Sequence, residues 1–280
     1  MNGSEFTKLE RRAFLQQSAA AAALALPAWC TVSVFAADES VPKVANRADV
    51  TTAGDTQKLA AAIKLARDTQ ETLKKIKDYE ATFTKRELVG KKLLESEMHV
   101  KLREQPFSVY IKYQRPHAGR EVIYVDGLNK GKLLAHGEGI TSIVGTIKLV
   151  PTSKDAMEEN RYPLTMLGMN NMVAKVVEQW QADVKHDELV VKFFPNAKMN
   201  GVECKVAETS FPKQVTHAKF HLTRLYVAKD SGLPVRVEQF GFPAKADKLP
   251  IIEEYTYSNI KSNPGLSDLD FDPANKAYGF

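Results

Sequence analysis

The sequence predicts a mainly β protein of the α+β class, in which helices flank one antiparallel sheet. Long runs of the chain alternate apolar and polar residues with a period of two, which indicates strands with one dry and one wet face. These runs follow each other with turn residues and no helix between them, which favours antiparallel pairing. Only two segments have helical spacing. With 44% hydrophobic and 26% charged residues among 280, the composition is that of a globular protein.

Residues 1–36 are typical of an export signal. A charged start precedes an Ala-rich stretch at 19–28, and small residues precede a predicted cut after residue 36. The stretch is far shorter than the ~20 residues that span a bilayer, so we expect release into the periplasm, with an uncleaved N-terminal anchor as the alternative. Paired arginines resemble the twin-arginine signal, although Glu10 stands where that signal prefers Ser or Thr, which leaves Sec export open. The export-signal residues are Arg11, Arg12, Phe14, Leu15 and Ala36.

A linker and then one domain are expected to follow the signal. Residues 37–54 lack aromatic side chains and mix Pro42 and Gly54 with threonines and charges, which is typical of a linker. The domain is expected to occupy residues 55–280. It opens with apolar residues at helical spacing, which predict a first helix over 55–79 with a polar outer face.

The pattern then changes to that of strands, roughly ten in all. A glycine-rich break at 136–168 interrupts them, and a second helix with one apolar face is predicted from residue 169 to residue 180. The main expected strands are 94–102, 107–114, 122–125, 133–135, 189–194, 202–210, 219–228, 233–242 and 251–260.

Sequence motifs of catalysis are missing from the chain. It contains neither the G-x-S-x-G of α/β-hydrolases nor the H-E-x-x-H of zinc proteases. Of its two cysteines, Cys30 and Cys204, the second alternates with valines in an expected strand and is interpreted as a small buried hydrophobic residue. We therefore predict a protein that is not an enzyme, with no catalytic residues and no cofactor.

Metal ions and nucleic acids are not expected ligands. His217 and His221 are four residues apart, but the interpretation of this stretch as a strand separates them by roughly 13 Å. An acidic run from Asp268 resembles the start of a calcium loop, yet Pro273 and Gly279 occupy positions that require Gly and Glu. The net charge of +5 is spread without a run of five like charges, which argues against a nucleic-acid partner.

The apolar face of the sheet is the candidate binding surface. A curved sheet with few helices is either filled by those helices or left with a cavity for an apolar guest, and the residues leave both outcomes open. Flexible methionine side chains just before the second helix suit a surface that must adapt to variable chains. The predicted ligand-binding residues are Met98, Val100, Val109, Ile111, Tyr113, Val122, Tyr124, Met166, Leu167 and Met169.

Six segments carry a family resemblance, and together they extend over most of residues 55–280. They are 79–83, 103–110, 117–124, 122–127, 131–136 and 161–165. The first segments resemble the LolA-type carriers of outer-membrane lipoproteins, and the later ones resemble more closely a LolA-like bacterial family known only as a domain of unknown function. The resemblance implies a strongly curved antiparallel sheet, an incomplete β-barrel of about eleven strands that is lidded by helices and encloses an apolar cavity.

The resemblance also implies a function. It implies an exported carrier or binder of lipid or lipoprotein acyl chains, with that acyl chain and envelope membrane proteins as partners. An RseB-like envelope sensor or scaffold that binds protein partners is the alternative from a different class, and a hydrolase of envelope material is the third. A co-purified lipid would favour the carrier, whereas a stable protein complex without lipid would favour the sensor.

We predict that the mature chain begins at Ala37, because Val34 and Ala36 place small residues before the cut. N-terminal sequencing of the protein from the cell envelope checks this, and a cytoplasmic chain beginning at Met1 would contradict it. Changing Arg11 and Arg12 to Lys should block export by the twin-arginine route and leave Sec export intact.

Overall fold

The computed structural model describes residues 55–244 and 249–280. The predicted export-signal residues and the linker 37–54 lie outside the described residues. Among the helices of the described residues, none is long and apolar enough to cross a membrane. The described helices are α1 (Asp55–Leu73), α2 (Lys154–Met157) and α3 (Met169–Asp183).

Eleven strands of the described residues form one antiparallel sheet, which confirms the predicted fold class. The strands follow the order β6-β5-β4-β3-β2-β1-β11-β10-β9-β8-β7, so every neighbour is adjacent in the chain except the central pair, β1 and β11. The strands are β1 (Asp78–Val89), β2 (Lys92–Arg103), β3 (Ser108–Arg115), β4 (Glu121–Val125), β5 (Leu133–His136), β6 (Thr146–Leu149), β7 (Val190–Met199), β8 (Val202–Ser210), β9 (Leu222–Ala228), β10 (Pro234–Phe240) and β11 (Ile251–Ser262).

Several observed boundaries differ from the predicted ones, and two of the differences concern residues named in the sequence analysis. Helix α1 ends at Leu73 and does not reach Tyr79, which lies in β1 with its ring fully buried. The backbone tightens after Leu73, where the Ile76 N–H donates to the Leu73 carbonyl at 2.9 Å and ends the helix. Strand β9 begins at Leu222, so His217 lies in the connection before it and not in a strand. Ile76 continues the helical spacing of the apolar residues but lies after the end of the helix.

The two longer helices cover one part of the concave face. Helix α1 packs on β7 and β8, and α3 packs on α1 and β10. Trp180 of α3 is fully buried, and its indole N–H donates to Thr209 Oγ1 at 2.9 Å. The helices therefore fill the concave side of the sheet over β7–β10 and over part of β1–β3, where Tyr79, Val100 and Val109 belong to the same core. The rest of the concave side over β1–β6 is left to the chain that follows β6.

A row of opposite charges crosses the other face of the sheet from β8 to β11. Arg224 Nε contacts Glu208 Oε2 at 2.7 Å, and Arg236 Nη2 contacts Glu238 Oε1 at 2.8 Å and Glu254 Oε2 at 2.7 Å. The three carboxylates and Arg224 are buried. Since a one-residue slip turns every side chain to the opposite face, these cross-strand pairs hold the strands in register.

The C-terminal segment 263–280 returns across the outer face of the first strands. The ring of Tyr278 stacks on that of Tyr110 with centroids 4.0 Å apart, and Phe271 is buried. Two of the acidic residues that resembled a calcium loop form ion pairs here, since Asp268 lies 2.7 Å from Arg103 Nη1 and Asp270 lies 2.6 Å from Lys101 Nζ. This segment covers apolar side chains on the outer face of β3–β5.

We predict that Ile111→Asp lowers the free energy of unfolding enough to unfold the domain or make it insoluble. Ile111 is buried between Val100 on β2 and Val122 on β4. Burying a charge there costs several kcal/mol, against a total stability of ~5–15 kcal/mol. Thermal unfolding measures the effect, with Gln114→Asp at an exposed position of the same strand as the control. An unchanged melting temperature for Ile111→Asp would show that this side chain faces solvent.

Candidate functional site

A cavity lies between the concave face of the sheet and the segment 151–168, which we name the covering segment. The space open to the centre of a water molecule is about 170 Å³, far above the roughly 10–15 Å³ that one water requires. The sheet side of the lining is mostly apolar and comes from β1–β6, β10 and β11. Its apolar residues on the first strands are Phe83, Met98, Ile111, Val122, Leu133, Ala135 and Leu149.

The cavity contains six of the ten predicted ligand-binding residues. Met98, Ile111, Tyr113, Val122, Met166 and Leu167 all line it. Their role in ligand binding stays a prediction. The structure shows that these side chains, which the sequence pattern grouped, line the same cavity. The alternation of the strands placed four of these residues, Met98, Ile111, Tyr113 and Val122, on the face of the sheet that lines the cavity.

The other four predicted residues lie outside the cavity lining. Val100, Val109 and Met169 are fully buried in the main core, and Tyr124 packs in a smaller cluster beside Leu133. The period of two along a strand shows on which face of the sheet a residue lies. It does not show which part of that face the helices cover. Near the end of β2, Leu102 already touches the entry of α3, since a Cβ at Gly168 would lie 3.1 Å from it.

Polar side chains that the sequence analysis missed form one wall of the cavity. Lys85 and Glu87 follow Phe83 on the inner face of β1, and both are buried. Lys85 Nζ donates to Glu87 Oε2 at 3.0 Å, to the Glu159 carbonyl at 3.1 Å and to Asn160 Oδ1. Charged residues at inward positions of an alternating strand were the signal for this wall, because a buried charge needs a partner.

The covering segment is bound to this wall through Arg161 and Tyr162. Arg161 Nε donates to Glu253 Oε2 at 2.6 Å, and the Arg161 backbone N–H donates to Glu87 Oε2 at 3.1 Å. The Tyr162 hydroxyl donates to Glu253 Oε2 at 2.9 Å. Burial raises the pKa of Glu253, and burial together with that carboxylate raises the pKa of Tyr162 to about 12. The hydroxyl therefore keeps its proton and acts as a donor.

A second set of contacts holds the covering segment from the β3–β4 turn. His117 Nε2 lies 3.4 Å from Glu159 Oε1, and Arg120 Nη1 lies 2.9 Å from Glu159 Oε2. The hydrogen bond from His117, supported by Arg120, lowers the pKa of Glu159 to about 2. The same hydrogen bond raises the pKa of His117. Because the pKa of Glu159 is depressed, its contribution is present at neutral pH and is lost as the pH falls towards about 2.

Cys204 does not take part in this site. The thiol is buried, as the sequence predicted, and burial raises its pKa to about 11. A thiol with that pKa stays protonated at neutral pH and is a poor nucleophile. The arrangement as a whole offers an apolar space whose cover is held by charged and hydrogen-bonded groups.

Several solved structures are similar to this chain. The Mycobacterium tuberculosis lipoprotein LppX is 11% identical with a TM-score of 0.45, over 76% of this chain and 99% of that one. A LolA superfamily protein from Nitrosomonas europaea is 10% identical with a TM-score of 0.28, over 74% of this chain and 97% of that one. The MucA/MucB complex of Pseudomonas aeruginosa contains a chain that is 10% identical with a TM-score of 0.39, over 73% of this chain and 60% of that one.

No curated protein matches the chain. A family model does match, over residues 76–280, from the end of α1 to the C-terminal residue. That range includes every strand of the sheet, the covering segment and α3. The family is described as a protein of unknown function, which agrees with the resemblance found in the sequence. The chain belongs to this family, DUF1571.

Proposed function

We propose that the protein is an exported, non-enzymatic binder or carrier of long acyl chains from lipids or lipoproteins in the cell envelope. The observation that carries this proposal is the apolar cavity between the sheet and the covering segment. Each CH₂ group of an acyl chain that leaves water contributes ~0.8 kcal/mol. A chain that enters only in part therefore gains measurable affinity.

The way in which the covering segment is attached supports entry and release of such a ligand. Most residues of the segment are half-buried, and polar contacts such as those of Arg161 and Tyr162 with Glu253 hold it to the sheet. Hydrogen bonds to charged groups contribute about 1.5–3 kcal/mol each, so a few of them favour closure and still allow opening. A segment with few buried apolar contacts opens at low free-energy cost. Ligand exchange then does not require unfolding of the sheet.

Two carboxyl groups that lie opposite each other on neighbouring strands favour the closed position of the covering segment. Glu87 on β1 is the cross-strand partner of Glu253 on β11, and like charges directly opposite each other are destabilising. Arg161 contacts both groups, through its backbone N–H and its guanidinium. Closure therefore places the Arg161 guanidinium beside Glu253, whereas an open cover leaves Lys85 as the cation beside this pair.

A protein-binding sensor or scaffold is the second candidate function. The observation that favours it is the edge strand β6 and its surroundings. Ile143 is 84% exposed, and Val144 and Val150 on either side of β6 are also exposed. An edge strand with unpaired backbone groups and exposed apolar neighbours can add a strand from a partner. A stable complex that forms without lipid would favour this function.

We predict that long-chain fatty acids raise the melting temperature of the protein, whereas short-chain analogues do not. Ala135→Phe should weaken long-chain binding at least about tenfold, since a phenyl ring occupies part of the cavity that Ala135 lines. Ala60→Phe, at an exposed position of α1, is the matched control. Titration calorimetry with a long-chain fatty acid measures both variants.

Two results would contradict the carrier function. One is the absence of any lipid in organic extracts of the purified protein, together with no thermal shift at saturating long-chain ligand. The other is equal binding by Ala135→Phe and Ala60→Phe.

We predict that Tyr162→Phe increases the dissociation rate of a bound long-chain fatty acid roughly tenfold, because it removes one hydrogen bond between the covering segment and Glu253. Stopped-flow release of a fluorescent fatty acid measures the rate. Tyr278→Phe, which removes a hydroxyl on the outer face of the sheet, is the matched control. If both variants release ligand at the wild-type rate, the covering segment does not gate the cavity.

A further inference from the structure

Three metal-ligating side chains meet at the end of α3, on a different part of the molecule from the cavity. His186 and Glu188 belong to the turn between α3 and β7, and His217 belongs to the connection between β8 and β9. One donor atom from each of them lies within 4.8 Å of the other two. The sequence analysis had paired His217 with His221, whereas the chain brings it to His186.

Backbone contacts hold both segments in place. In the first, the His186 N–H donates to the Asp183 carbonyl at 3.0 Å, and the Leu189 N–H donates to the His186 carbonyl at 3.3 Å. In the second, the Phe211 N–H donates to the His221 carbonyl at 2.9 Å and closes the base of the connection. Side chains from that connection also pack against the main core. The two histidines are therefore presented by well-anchored turns.

The side chains approach each other closely. The rings of His186 and His217 are stacked, with centroids 3.6 Å apart and an interplanar angle of 12°. The edge of each ring also meets Phe211. Glu188 Oε1 lies 3.4 Å from His217 Nε2. Both rings lie close enough to contribute a nitrogen to one site, and imidazole nitrogen is a common metal ligand.

A buried carboxylate lies close to His186 and His217. Asp183, at the end of α3, is 7% exposed, and its Oδ2 has no hydrogen-bond partner. Burial raises the pKa of this carboxyl, while a hydrogen bond with Gln179 acts in the opposite direction. An unpartnered buried oxygen is costly unless a cation compensates it.

We propose that His186, His217 and Glu188 bind one first-row transition-metal ion, and that this ion is zinc. Two imidazoles and one carboxylate form a ligand set that zinc commonly accepts, with a fourth position left for water. Calcium and magnesium prefer sets made of oxygen atoms only. The folded protein would bind the metal in the compartment in which it resides. The metal site shares no residue with the lining of the acyl-chain cavity.

The geometry requires one small adjustment. Zinc–ligand bonds of about 2.0–2.1 Å place neighbouring donor atoms of a tetrahedral site roughly 3.4 Å apart. Glu188 and His217 already have that separation. Stacked rings direct their lone pairs side by side, so the His186 ring must turn about its Cβ–Cγ bond to face the same ion. A rotation of this kind leaves the backbone of both turns in place.

A bound ion would join two segments that are far apart in the chain. It would tie the end of α3 to the β8–β9 connection, and both pack against the part of the sheet that the helices cover. Metal that binds only the folded state raises the melting temperature by mass action. Zinc would therefore stabilise the helix-covered half of the molecule without a change in the cavity.

The test is calorimetric titration of zinc chloride into the metal-free full chain, with thermal unfolding as the second measurement. We expect one zinc ion to bind per chain at the cluster. At saturation the melting temperature should be several degrees higher than without zinc. His186→Gln and His217→Gln should each weaken this binding at least about tenfold. Magnesium and calcium chloride should produce no comparable heat or thermal shift.

Controls separate this site from general metal binding and from misfolding. His99→Gln removes a histidine of β2 and should bind zinc as the wild type does. His217→Gln and Glu188→Gln alter side chains that are 34% and 46% exposed, so both should keep the metal-free melting temperature. Zinc binding that is equal in wild type, His186→Gln and His217→Gln, or no zinc binding at all, would overturn the proposal.

Discussion

Antiparallel pairing of β1 with β11 joins the first and the last strand of the chain, and the cavity exists only because this pairing holds. Without it, β1–β6 and β7–β11 would be two separate meanders, each with an open apolar face. The register sets Glu87 opposite Glu253 and Lys85 opposite Tyr255 on the inner face. The polar wall of the cavity is therefore built from both halves of the chain, and it can form only after the longest-range pairing in the sheet.

The two halves of the sheet are covered in different ways, and this difference creates the candidate site. Over β7–β10, α1 and α3 bring apolar side chains that fill the concave face, with Trp180 at its centre. Over the part of β1–β6 that α3 leaves open, the cover is the segment 151–168, which contains only the short helix α2 and short turns. A segment with so little regular structure fills the space incompletely. Its attachment depends on Arg161 and Tyr162 at the polar wall, because it buries few large side chains of its own.

Local pattern alone was sufficient for much of this description. The period-two runs predicted the antiparallel sheet, because alternation along a strand reflects burial of one face and is written in neighbouring residues. Met98, Ile111, Tyr113 and Val122 were predicted to share one face for the same reason, and they line one cavity. The burial of Cys204 among valines followed from that alternation as well. Family membership was also visible in short segments, such as 161–165, whose Arg161 and Tyr162 later proved to hold the covering segment.

Tertiary structure decided what depends on residues that are distant in the chain. Val100, Val109 and Met169 share the apolar pattern of the cavity residues, yet they are core, because the packing of α3 determines which part of the face stays open. The polar wall forms only when β11, which carries Glu253, pairs with β1, which carries Lys85. These two strands are far apart in the chain. His217 meets His186 only because two loops converge beside the end of α3. A periodic pattern in the sequence shows which face of an element a side chain lies on. The packing between elements determines which side chains it contacts.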